Sequence, residues 1–162
     1  MVLPVEPNAS PFPLSGPGIF RESVAKFSPD GKYVAYVSTE TGRPEIYVRA
    51  FIPNSGIQSG PRWMISTQGG NLPSWSADGR KLYWETGGQR GTRVFAADID
   101  ISSGLHAGLP VKLFETDEAL GGSTLLTKRG QMLFRVPVGQ LASEPLNVQV
   151  NWRSELKIPS SR

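Results

Sequence analysis

His106 is the one imidazole in the chain and cysteine is absent, so nucleophilic and acid–base chemistry have few places to start. A zinc centre needs several His or Cys ligands. A serine hydrolase needs a Gly-x-Ser-x-Gly turn and an imidazole partner. Gly121-Gly122-Ser123-Thr124-Leu125 lacks the closing glycine, and His106 lies in Gly104-Leu105-His106-Ala107-Gly108, which reads as a solvated loop. A glycosidase pair would be drawn from Asp78, Glu85, Glu115 and Asp117, yet no spacing singles out two of them. Asp98 and Asp100 share one face of a strand and could touch a cation, but solvated strand carboxylates are the simpler reading. Phosphoryl transfer needs a lysine on the phosphates and two aspartates for base and metal. Gly16-Pro17-Gly18-Ile19-Phe20-Arg21 lacks the third glycine of a nucleotide loop, and neither His-Arg-Asp nor Asp-Phe-Gly occurs. The expectation is a chain without a catalytic residue, metal or cofactor.

Asp30 and Asp78 differ from the other carboxylates because their surroundings recur. Val24-Ala25-Lys26-Phe27-Ser28-Pro29-Asp30-Gly31-Lys32-Tyr33-Val34-Ala35-Tyr36 aligns without a gap on Leu72-Pro73-Ser74-Trp75-Ser76-Ala77-Asp78-Gly79-Arg80-Lys81-Leu82-Tyr83-Trp84, 48 residues later. At the same offset Glu45-Ile46-Tyr47-Val48 meets Arg93-Val94-Phe95-Ala96. A decayed third copy, Leu126-Thr127-Lys128-Arg129-Gly130-Gln131-Met132-Leu133-Phe134, follows after 51. The repeat explains the aspartates structurally. In Ser28-Pro29-Asp30-Gly31, proline presets φ at the second turn position, aspartate bonds to backbone amides, and glycine supplies the left-handed corner. Gly31, Gly79 and Gly130 are common to all three copies, whereas the acidic residue is not.

The elements that hold these turns follow from their flanks. Aromatic and β-branched runs on both sides read as strands, and 14 prolines with 18 glycines disfavour long helices. Strands are expected near 24–27, 33–38, 45–51 and 62–65, then near 72–75, 81–85, 92–99 and 111–114. The third copy shows 122–126, 131–136 and 146–150. Four strands in each period of about 50 residues mark a β-propeller blade. The fold class is therefore all-β, a partial propeller of about three four-stranded antiparallel blades, open and not closed. Residues 1–23 would be the end of a preceding blade or a linker. Blades would occupy 24–70, 71–118 and 119–152, the last degenerate, with a tail at 153–162. An ordinary β-sandwich is the competing fold, but it requires no fixed phase. An open stack leaves two faces bare, which implies missing blades or self-association.

These residues resemble a known group. Phe27-Ser28-Pro29-Asp30-Gly31-Lys32-Tyr33-Val34-Ala35-Tyr36 and Trp75-Ser76-Ala77-Asp78-Gly79 are similar to the WD-like repeats of TolB-type propellers. A wider series includes Thr41-Gly42-Arg43-Pro44-Glu45-Ile46-Tyr47-Val48-Arg49, Ile65-Ser66-Thr67-Gln68-Gly69-Gly70 and Leu146-Asn147-Val148-Gln149-Val150-Asn151-Trp152. It resembles the C-terminal end of propellers carried by bacterial membrane-anchored Ser/Thr protein kinases. That resemblance implies a propeller lying outside the cytoplasm in a parent protein, with Asn151-Trp152 at its natural end. Any kinase domain would belong to that parent.

Charge narrows the partners. The net charge is +3, but the basic residues are dispersed and form no block, so nucleic acid is not expected. No window approaches the roughly 18 apolar residues of a membrane helix, and the N-terminal residues have no signal-peptide pattern. The expected partner is a protein or small ligand of unknown identity. Its expected place is the rim built from second-to-third-strand and blade-to-blade loops, with Glu40, Arg43, Asn71 and Arg90 as candidates.

Overall fold

The computed structural model describes residues 20–52, 60–88, 91–117, 121–126 and 132–135, together with 8, 10–12 and 14. The strands among them are antiparallel and form three sheets. The first sheet runs in chain order: β1 (Glu22–Phe27), β2 (Tyr33–Ser38), β3 (Glu45–Ala50) and β4 (Arg62–Met64). In the second, β5 (Asn71–Trp75), β6 (Lys81–Gly88) and β7 (Gly91–Asp100) are followed by two strands that share the far edge of β7. These are the two-residue β8 (His106–Ala107) and the outer β9 (Val111–Thr116). The third sheet pairs β10 (Gly121–Leu126) with β11 (Met132–Arg135).

Strand sequence accounts for the stacking. In β2, Val34 through Ser38 are all buried, so both faces of the sheet are covered. Ala35, Val37, Ile46 and Val48 form one core cluster with Trp75, Leu82, Trp84, Ala97 and Ile99 of the second sheet. Each large apolar side chain hidden in this way stabilises the stack by about 1.5–3 kcal/mol. Trp75 also crosses the seam, its indole Nε1 donating to the Lys26 carbonyl at 3.2 Å. The third sheet continues the series, β10 packing against β5. An all-β, open partial propeller is the architecture, with β1, β5 and β10 as successive first strands.

The sequence period is also a structural one. Tyr36 pairs with Tyr47 and Trp84 with Phe95 in the two ladders, each ring pair 5.9 Å apart. First strands bulge at matching places, between Ser23 and Lys26 and between Asn71 and Ser74, and β10 bulges between Gly121 and Leu125. Val24 and Leu72, 48 residues apart, both take φ of 52° at these bulges. Left-handed backbone costs an L-residue about 1–2 kcal/mol, so the ladders and cores on either side must hold both.

The second blade departs from four equal strands. Its β7 is ten residues long, and β8 pairs with the extension that β3 lacks. Gly130, the expected strand at 146–150, the tail 153–162 and most of 1–19 lie outside the described residues.

Candidate functional site

The two described turn corners are alike in detail. Gly31 and Gly79 have φ of 71° and 72°, and their amides donate to Ser28 and Ser76 carbonyls at 2.9 and 3.0 Å. Serine is the hub. Ser28 Oγ donates to Asp30 Oδ1 at 2.6 Å and accepts from the Tyr33 amide at 3.0 Å. Ser76 Oγ does the same with Asp78 Oδ1 at 2.6 Å and the Lys81 amide at 2.8 Å. Each aspartate accepts a further amide two residues on, from Lys32 at 3.1 Å and from Arg80 at 3.0 Å. The serine hydroxyl bond, chiefly, holds both carboxyls below the usual range. These corners also touch across the seam, since a Cβ built on Gly79 would lie 3.5 Å from Pro29 Cδ.

At the other end of the strands lies the rim. Arg43 is engaged there: its Nε donates to Glu45 Oε1 at 2.7 Å and its Nη2 to the Thr67 carbonyl. Glu45 is 1% exposed and also accepts from Ser66 Oγ and the Gly69 amide, the latter at 3.0 Å. Ser66 Oγ in turn accepts the Ile46 amide at 2.8 Å. This network fastens the blade-to-blade loop onto β3. The loop approaches so closely that a Cβ on Gly70 would sit 2.5 Å from Ile46 Cγ1. Glu40 faces Arg62, Nη1 to Oε2 at 2.9 Å. Burial, with the Glu40 carboxylate adding to it, pushes the Tyr47 phenol up to about 12. Asn71 opens β5 opposite Glu85, and Arg90 lies outside the described residues. Of these candidates Arg43 is tied to the blade-to-blade loop and Glu40 to Arg62 of β4, while Asn71 stands at the start of β5.

Sequence reasoning passed over Glu45, the most buried carboxylate of the rim. Its partners are 21 and 24 residues away, a distance at which a single sequence carries no pairing signal. It also passed over Ser28 and Ser76 as hubs, although both recur at the 48-residue offset.

Clefts open among the described residues include the following. One of about 340 Å³ at the rim is lined by Thr41, Gly42, Arg43, Glu45, Met64 and Thr67. A second, about 250 Å³, is lined by Trp84, Phe95, Ser66–Gly69, Leu109 and Pro110. The widest, about 810 Å³, lies at the opposite strand ends beside Arg80, Asp98, Asp100, Ser102 and His106. The paired strand carboxylates there have separate partners, Asp98 with Lys81 Nζ and Asp100 with the Ser102 amide. Among the described residues no three His, Cys, Asp or Glu side chains converge to hold a metal. No helix of the described residues is long and apolar enough to cross a membrane.

Neither a protein-family model nor a curated protein matches the chain. Among solved structures, the crystal structure of TolB from Acinetobacter baumannii is similar, with a TM-score of 0.54 and 24% sequence identity. The match covers 74% of this chain but 27% of that one, so the chain spans about a quarter of the structure it resembles. The likeness is one of fold, a TolB-like propeller.

Proposed function

We propose that this chain is a non-catalytic propeller segment, a protein-interaction or ligand-sensing module within a larger protein. The supporting observation is the open stack itself: side chains with chemistry are spent on holding turns and seams. Ser28, Ser76, Asp30 and Asp78 close corners, while Arg43 and Glu45 clamp a loop. Partner contact falls to the rim loops that carry Glu40, Arg43 and Asn71, and the loop sequence of the second blade adds Arg90 as a candidate. The parent is a propeller-bearing Ser/Thr kinase by the resemblance of its repeat series, and the propeller then lies outside the cytoplasm. A TolB-like envelope scaffold is the second reading, favoured by the likeness to the TolB structure. An accessory propeller beside a prolyl-peptidase-type hydrolase is a third.

Reading the coding sequence on both sides of this segment tests the proposal. Further blades at a period near 48, with a kinase domain and a membrane helix, are expected. A TolB-type domain with a secretion signal would transfer the assignment to the scaffold, and a hydrolase domain to the peptidase. Flanking sequence with no propeller repeat would overturn all three.

A further inference from the structure

The loop between β4 and β5 is fastened on both sides of two residues whose side chains it presents outward. Ser66, 1% exposed, bonds through its hydroxyl to Glu45. Gly69 donates to the same carboxylate at 3.0 Å, and Gly70 donates to the Pro44 carbonyl at 2.9 Å. A Cβ on Gly69 would also lie 3.9 Å from Thr86 Cγ2, so the loop reaches blade two. Thr67 and Gln68 stand between these anchors. Both are exposed, and the Thr67 hydroxyl and Gln68 carboxamide have no partner among the described residues. Backbone held in this way leaves little freedom to be lost when the two side chains bind something.

What they stand beside is aromatic. The cleft of about 250 Å³ that Thr67 and Gln68 line is also lined by Trp84, Phe95, Leu109 and Pro110. The two rings are nearly parallel, at 12°. Phe95 is half-buried, and Leu109 is 88% exposed. No charged side chain of the described residues lines this cleft. On the adjoining strands β7 and β9, Arg93 and Lys112 are both paired with Glu115.

This lining selects its ligand. An ion would lose water without gaining a counter-charge. A wholly apolar group would leave the hydroxyl and the carboxamide unused beside it. A molecule with a flat C–H face and neutral hydroxyls around its edge uses both halves, lying on a ring by its face and bonding to Thr67 and Gln68 by its edge. Drug-sized ligands occupy pockets of roughly 300–1,000 Å³, so this smaller cleft takes a single ring. We propose that the cleft between the β4–β5 loop and the Trp84–Phe95 pair is a binding site for one neutral pyranose ring. The site needs only the fold, and it holds whichever parent protein carries the chain.

Methyl β-D-glucopyranoside, whose ring substituents are all equatorial, is the probe. It is titrated into isotope-labelled protein while amide and indole N–H shifts are followed. Its roughly 13 non-hydrogen atoms, at the efficiency of ordinary ligands, give a Kd of about 1 mM. Saturable shifts are expected at Gln68, Gly69, Phe95 and the Trp84 indole. Gln68→Ala, a change at an exposed position, should weaken binding about threefold to tenfold, the scale of one hydrogen bond, and leave the melting temperature unchanged. No saturable shift at these residues, or an unchanged affinity in the variant, overturns the proposal. Equal shifts with the open-chain polyol sorbitol do so too, because a flat face would then be irrelevant. N-acetylphenylalaninamide binding there while the sugar does not would also refute it, making the cleft an anchor for a peptide side chain.

Discussion

Replacing Glu45 by glutamine removes one buried charge from the rim network and leaves the volume almost unchanged. Glu45 accepts three kinds of donor, the Arg43 guanidinium, the Ser66 hydroxyl and the Gly69 amide. Glutamine keeps one acceptor oxygen and places an NH₂ group where donors already point. Hydrogen bonds to a charged group contribute about 1.5–3 kcal/mol each. The Arg43 side chain is 58% exposed, so water compensates most of its share, and that arm adds only about 0–1 kcal/mol. The buried arms at Ser66 and Gly69 dominate, and the expected loss is about 3 kcal/mol. For a chain of this size that lowers the melting temperature by about 6–12 °C. Urea unfolding should show a lower midpoint with an unchanged slope, the mark of lost stability without altered compactness. Arg43→Ala is the control, expected to cost about 1 kcal/mol or less. If Glu45→Gln costs no more than Arg43→Ala, the loop is not fastened by this carboxylate and the reasoning fails.

Three further perturbations probe the corners, the seam and the second blade. Ser28→Ala and Ser76→Ala should each destabilise by about 1 kcal/mol and by similar amounts; urea midpoints that differ widely would mean the corners are not equivalent. Trp75→Phe removes the indole bond to the Lys26 carbonyl and should cost about 1 kcal/mol in thermal unfolding. A neutral result would show that water replaces that bond. Glu85 has a buried Oε2 with no hydrogen-bond partner among the described residues, and burial pushes its carboxyl up. A carboxyl raised in the folded state favours folding when protonated, and that advantage is lost as pH rises through its folded pKa. Glu85→Gln should therefore stabilise at pH 7, and its advantage should shrink as the pH falls towards 4. A stabilisation that grows on acidification would refute this.

Local chemistry was legible and distant chemistry was not. The corners at Gly31 and Gly79 could be read because proline, aspartate and glycine specify a turn within four residues. Copying that turn at a fixed phase then fixed the strand order of the first two blades. Glu45 escaped because its role depends on Ser66 and Gly69, which only the pairing of β4 with β3 and the fold-back of the following loop bring near. Val24 and Leu72 escaped for the opposite reason. Branched or bulky residues argue against a left-handed backbone, and the ladders on both sides override that preference. β8 is two residues long, too short for any alternation to announce it. The rim candidates were placed by loop position alone, so sequence put Arg43 at the rim without indicating that Glu45 and Thr67 hold it.

Successive corners stack on one another across the seam between blades one and two. The direct measurement is the nuclear Overhauser effect between the α protons of Gly79 and the δ protons of Pro29 in the assigned protein. A cross-peak is expected, because a Cβ on Gly79 would lie 3.5 Å from Pro29 Cδ. If both residues are assigned and no cross-peak appears, the two hairpins are not neighbouring blades.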